Sequence, residues 1–125
     1  MNQNDEDEIE PTYTWHALQI LRDQYPSKLY AFRLVDEKRR SPYSSNKLTF
    51  VDGDSYEVKD AETNEDISCA KGLGVATFEW CLKHRKPGWK VLKVEFEVRD
   101  IAAIPKKTNG KFRLHRCKII STVDC

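Results

Sequence analysis

No apolar run in this chain approaches the roughly 20 residues that a helix needs to cross a bilayer, and residues 1 to 10 contain neither lysine nor arginine. The first absence argues against a membrane protein, and the second is the reverse of the basic start of a secretory signal peptide. The expectation is an intracellular, cytoplasmic chain with no membrane partner. The common catalytic signatures are also missing: no G-x-S-x-G elbow, no P-loop, no H-E-x-x-H and no complete G-x-G-x-x-G occurs. Each of those patterns places a nucleophile, a phosphate cradle or a metal pair, so their absence lowers the expectation of an enzyme. Internal repeats and low-complexity tracts are lacking too, which sets aside solenoids and arrays.

What is present fits one domain. At 125 residues, 39 % hydrophobic and 33 % charged, the chain can bury a single core without disulfides or a structural metal. Four cysteines, Cys69, Cys81, Cys117 and Cys125, are widely spaced, and reduced thiols are expected in a cytosolic chain. Cys81 and His84 have the i, i+3 spacing of one helical face. A zinc site could add Cys69 or Cys117; the plainer reading makes Cys81 a small buried hydrophobe, so no metal and no cofactor is expected. The net charge of +1 hides an asymmetry. Residues 1 to 10 carry five acids (Asp5, Glu6, Asp7, Glu8 and Glu10), while residues 71 to 118 carry thirteen Lys or Arg against four acids. The acidic segment 1–11 reads as a flexible arm ahead of a domain spanning 12–125, because it has too little apolar content to order itself.

Helical spacing of Trp15, Leu18 and Leu21 predicts a first helix capped by Thr14 and ending near Tyr25, before Pro26. The dense run Leu29 to Val35 predicts a central strand with one charged member, Arg33. Residues 36 to 47 form a polar loop. Leu48 to Val51 and Ser55 to Val58 predict short strands joined by the turn Asp52-Gly53-Asp54. Gly72-Leu73-Gly74 predicts a tight turn aimed into a helix that Thr77 caps and Pro87-Gly88 stops. Trp89 to Val98 alternates cleanly, with Leu92, Val94 and Phe96 set against Lys93, Glu95 and Glu97. Asp100 to Ile104 reads as a short helical or looped link, and Lys111 to Val123 as one final strand with a bulge near Arg116. The class is α+β, with a small, mostly antiparallel, possibly split sheet and about two helices.

Candidate sites follow from residue chemistry. A buried Arg33 needs a counter-charge, which Glu95, Glu97 or an anionic ligand can supply. Arg33, Gly72, Gly74 and Thr77 form a possible ligand pocket. Asp5, Glu6, Asp7, Glu8, Arg39, Arg40 and Tyr43 are candidate partner-binding residues, since charged and aromatic side chains on loops anchor interfaces. Trp80, Trp89 and Tyr56 can also stack, although most such rings belong to cores. A basic C-terminal face of Lys106, Lys107, Lys111, Arg113, Arg116 and Lys118 offers nucleic-acid binding as an alternative. His16, His84 and His115 have no partner carboxylate or nucleophile at a telling spacing, so no catalytic residue is assigned.

The strand Leu29 to Val35, the Ser41-Pro42-Tyr43 loop, the Phe50-x-x-Gly53 turn with Tyr56, and Cys69-x-x-Gly72-Leu73-x-Val75 before Trp80 together resemble an uncharacterised domain family of phage and bacterial proteins, some fused to pentapeptide repeats. The resemblance spans roughly residues 28 to 120. Its pattern, Cys-x-x-Gly-Leu/Phe-His, meets Gly74 here in place of the histidine. The element order is also loosely similar to ADP-ribosyltransferase folds, in which a split sheet clasps a nicotinamide dinucleotide; that likeness would set Arg33 and Thr77 in the pocket, with no glutamate in the catalytic position. The resemblance implies a phage accessory protein acting in a bacterial host. The leading expectation is a non-catalytic module that binds and modulates or inhibits a host protein, such as a defence or nucleic-acid-processing factor. A nucleotide-pocket enzyme or pseudo-enzyme is the alternative, and nucleic-acid binding the second.

Overall fold

Alternation of Leu92, Val94 and Phe96 with charged neighbours builds the strand about which the molecule is organised. In the computed structural model, which describes residues 13–24, 28–42 and 48–124, this strand is β4, Lys90–Glu97. The other strands are β1 (Lys28–Val35), β2 (Ser55–Glu57), β3 (Leu73–Ala76), β5 (Ile101–Ala103), β6 (Lys111–Leu114) and β7 (Arg116–Val123). They form one antiparallel sheet in the order β2-β7-β4-β1-β3-β6-β5. With the helices α1 (Tyr13–Gln24) and α2 (Phe78–His84), the expected α+β class with two helices is the observed one.

Side-chain parity divides the core between the two faces of the sheet. One face gathers Ala31, Val35, Leu73, Val75, Leu92, Val94, Phe96, Phe112, Leu114 and Ile119 with Phe50 from a loop. Trp15 of α1 packs against it and donates its indole N–H to the Ile104 carbonyl at 2.7 Å. The opposite face holds Leu34, Ala76 and Val91 under Cys81 of α2, flanked by Phe32, Phe78, Trp80 and Trp89. Val91 therefore serves a second core that strict alternation of β4 hides.

Four elements depart from the expectations. Lys111 to Val123 is two strands, β6 and β7, which lie on opposite sides of the β3, β1 and β4 group. The break falls at His115, whose backbone N–H leaves both ladders to bond the Asp100 carbonyl at 2.6 Å. Buried Asp100 fixes that corner: its Oδ2 accepts the Glu97 N–H at 2.8 Å and its Oδ1 faces Arg116 Nε at 3.5 Å. Gly72-Leu73-Gly74 is the entry into β3 and not a turn, because Gly74 pairs with Arg113 in the β6 ladder. The link after Val98 is a 3-10 turn, Val98–Asp100, followed by β5. Leu48 to Val51 forms no strand, only the single bridge from Thr49 to Arg40. Among the described residues no helix is long and apolar enough to cross a membrane.

Candidate functional site

The sheet is not equally closed along its width. β1 and β4 are paired from Lys28–Glu97 to Val35–Lys90, whereas β1 and β3 meet at one register pair, Phe32 with Ala76. Beyond that pair the strands part and leave a cleft of about 620 Å³. Its walls come from β1, from the Ser41-Pro42 and Leu48 to Phe50 segments, from Ser68 to Gly72, and from β3 and β6. The sheet, expected as possibly split, is continuous, and this seam is its least extensive join.

Arg33 lies at this seam. It sits opposite Leu92 in the register, so its side chain shares the face of Ala31 and Val35. One terminal nitrogen, Nη1, donates to the Gly74 carbonyl, replacing with a side chain the ladder contact that the parted strands do not make. The guanidinium carbon is 4.4 Å from the centre of the Phe50 ring, a cation–π arrangement. Nε is covered and has no acceptor. Burial pulls the Arg33 pKa down to about 10, with the Cys117 and Cys81 thiols acting in the opposite direction. The expected pairing of Arg33 with Glu95 or Glu97 does not occur. Those acids project from the other face of β4, where Glu95 meets Lys28 at 3.8 Å and the Tyr30 hydroxyl at 3.2 Å, and Glu97 meets Arg99 at 2.9 Å.

The opposite wall depends on Arg113. It is buried, and its guanidinium donates to the carbonyls of Glu62, Asn64, Ile67 and Ser68 at 2.7–3.4 Å, folding the 62–68 loop onto β6. Gly72 makes the close approach possible: at φ 151, a Cβ there would lie 3.2 Å from both Cβ and Cδ of Arg113. Burial lowers the Arg113 pKa, while Glu62, Cys69 and Glu65 oppose the shift. Lys71 pairs with Asp60 at 2.7 Å, and this hydrogen bond holds the Asp60 carboxyl below its ordinary range. Lys111 extends over Trp80, 5.5 Å from the ring centre, with Nζ 3.9 Å from the exposed Cys69 sulfur.

Of the four pocket residues expected from sequence, the structure brings Arg33, Gly72 and Gly74 together at the cleft. Thr77 stands apart, because its Oγ accepts the Trp80 N–H at 3.2 Å as the cap of α2. Arg39 and Arg40, expected at a partner surface, are engaged within the fold. Arg39 donates to the Phe50 carbonyl at 2.6 Å and to Thr122 Oγ1 at 2.7 Å, and it pairs with Asp52; Arg40 faces Asp36 at 3.4 Å. Asp5, Glu6, Asp7, Glu8 and Tyr43 lie outside the described residues, as does the whole 1–11 arm. On the proposed basic face, Lys106 faces Asp66 at 3.5 Å and Arg116 faces Asp100, whereas Lys107 is exposed. The histidines stay away from the cleft: His84 stacks on Trp80 at 4.2 Å, His16 meets Trp15 edge-on, and His115 occupies the β6–β7 corner. Among the described residues no set of His, Cys, Asp and Glu is grouped to hold a metal. Sequence reasoning missed Phe50 as the ring beneath Arg33 and Lys111 as a lining cation. Its one usable signal was the aromatic set just before a Gly turn.

No protein-family model, curated protein or solved structure matches this chain.

Proposed function

We propose that this protein is a non-catalytic binding module that recognises its partner protein in the cleft between β1 and β3. The supporting observation is the chemistry of the lining. The cleft has the volume of a ligand pocket, and its ionisable side chains are Arg33, Cys69, Lys71, Lys111 and Arg113. No carboxylate or histidine among the described residues lines it, so the charge the cleft offers a partner is cationic. The setting expected from the sequence, an accessory protein that modulates a host protein, is retained as part of this proposal. Of the partner-binding residues expected from sequence, Arg39 and Arg40 give way to the cleft in this proposal, while Asp5, Glu6, Asp7, Glu8 and Tyr43 lie outside the described residues.

A cleft-filling substitution tests it. Gly74 has no positive φ, and a Cβ placed on it meets nothing closer than Arg33 Nη1 at 3.6 Å. Gly74→Leu should therefore fold and occupy the cleft. Selection of a random peptide library on the wild-type protein should give binders whose affinity for Gly74→Leu falls at least about tenfold, since buried apolar contact is removed. Binders that hold both proteins equally would place recognition elsewhere. Removing residues 1–10 reports separately on the acidic segment: an arm that contributes by charge changes both affinity and its salt dependence.

A second reading, a nucleotide pocket of ADP-ribosyltransferase type, draws support from the opening of the sheet beside Arg33. A dinucleotide that binds there raises the thermal midpoint. No shift at millimolar concentration removes this reading.

A further inference from the structure

Arg33 brings a positive charge against apolar surroundings, and among the described residues no carboxylate meets it. Its one hydrogen bond goes to the neutral Gly74 carbonyl, its Nε is covered without an acceptor, and among the described residues no acid forms an ion pair with it. A half-buried guanidinium with its Nε covered and no counter-charge is unfavourable, and an apolar side chain of similar size is commonly the more stable choice. This charge is nevertheless held at the wall of a cleft whose neighbouring surface is Phe32, Leu34, Leu48, Phe50 and Val75. The other lining cations have different engagements: Lys71 with Asp60, Arg113 with loop carbonyls, and Lys111 above Trp80.

We infer that the cleft takes a ligand with an apolar body and a single carboxylate, the carboxylate lying against the Arg33 guanidinium. This rests on the reading of the cleft as the recognition site and names the chemistry recognised there. The apolar walls of Phe32, Leu34, Leu48, Phe50 and Val75 call for an apolar body beside the one negative charge that meets Arg33, and inorganic phosphate has none. Planar carboxylate and planar guanidinium also match in geometry. The carboxylate belongs either to a small free acid or to an acidic residue within an apolar stretch of a protein partner.

The test is titration of the full chain, followed by amide NMR shifts, with sodium hexanoate, hexanamide and inorganic phosphate. Hexanoate should shift cleft resonances with a Kd on the order of a millimolar, as befits so small a probe. Hexanamide should bind at least about tenfold more weakly, because the charge-assisted contact is lost, and phosphate should not saturate. Arg33→Met should lose at least about tenfold in hexanoate affinity while keeping a thermal midpoint no lower than wild type, since it removes an unpaired charge from an apolar site. Gly74→Leu should abolish binding of the acid. Equal binding of hexanoate and hexanamide, hexanoate affinity unchanged in Arg33→Met, or no shift at about 20 mM hexanoate overturns the inference.

Two peptides separate the sources: acetyl-Leu-Glu-Leu-amide and its Gln counterpart. Preference for the Glu peptide supports the carboxylate on a protein partner. Binding of hexanoate but of neither peptide supports a small acid and overturns the protein-partner reading. Equal binding of both peptides, blocked by Gly74→Leu, leaves the cleft as the recognition site and overturns the carboxylate.

Discussion

Arg39 shows how one residue can organise a loop that sequence reads as a free surface. It adopts φ 64, the one positive value at a non-glycine position among the described residues. That conformation turns its guanidinium back onto the Phe50 carbonyl, Thr122 and Asp52. The same loop is tied by Asp36, whose Oδ1 accepts the N–H groups of Lys38 and Arg40 at 2.9 Å. Arg39→Ala should cost roughly 1–3 kcal/mol, through the lost charge-assisted bonds. Arg39→Gly should cost less, because glycine removes the strain; urea denaturation of the pair measures the difference. The bond from the Arg40 N–H chiefly, helped by the Lys38 N–H and the Arg40 guanidinium, holds the Asp36 carboxyl below its ordinary range. Its contribution to stability is therefore present above the ordinary carboxylate range and lost as pH falls through the lowered value. Asp36→Asn should flatten that acid-side loss in pH-dependent denaturation. Among the thiols, burial raises Cys117 to about 11, while Cys69 is exposed. Iodoacetamide on the native protein should label Cys69 well before Cys81 and Cys117, read by peptide mass spectrometry.

At the scale of elements, α2 is a helix of two turns that cannot persist on propensity alone. Thr77 caps it, Phe78 and Cys81 bury one face, and the stack of His84 on Trp80 closes its last turn, with His84 Nδ1 2.9 Å from the Trp80 carbonyl. The β5–β6 connection supports it from outside through Gly110. At φ 138, a Cβ on Gly110 would stand 2.8 Å from Thr77 Oγ1 and 3.1 Å from Trp80 Cβ, and its carbonyl accepts the Thr77 N–H at 3.1 Å. Thr77→Ala removes the cap alone and should cost about 1 kcal/mol. Gly110→Ala should cost more, because it combines strain at positive φ with displacement of the cap and of Trp80. Thermal unfolding of the two variants ranks them, and the reverse order would show that the helix tolerates displacement.

At the scale of the whole molecule, the chain from Lys111 to Val123 joins two groups of strands. β6 lies beside β3 and β5, β7 lies beside β4 and β2, and His115 is the one residue between them. A strand that changes partners at a corner ties the two groups into one cooperative unit. The main core draws residues from both groups, among them Phe112 and Leu114 from one and Cys117 and Ile119 from the other. Unfolding in urea should accordingly give coincident transitions by tryptophan fluorescence and far-ultraviolet dichroism. Separate midpoints would mean that the groups open independently at the cleft. The weak β1–β3 seam is where a single unit can still present an opening to a ligand.

Sequence by itself determined the elements whose pattern is local. Period-two alternation specified β4, a threonine before an apolar helical face specified α2, and Asp52-Gly53-Asp54 specified its turn, with Gly53 at φ 89. Each depends on neighbours within a few residues, so each is legible without partners. It also gathered Arg33, Gly72 and Gly74 as one candidate pocket, because a lone charge in an apolar run and paired glycines are exceptional wherever they fall. Tertiary structure alone decided the rest. Whether the parity shift near Arg116 is a bulge or a change of partners depends on strands far away in sequence, as does the pairing that makes Leu73–Ala76 a strand. Which cations meet an acid is likewise a matter of distances between remote loops: the same residue type holds carbonyls at Arg113, clamps a turn at Arg39, and among the described residues meets one carbonyl and a ring but no carboxylate at Arg33. Charge type is written in the sequence, but its compensation is set by the fold.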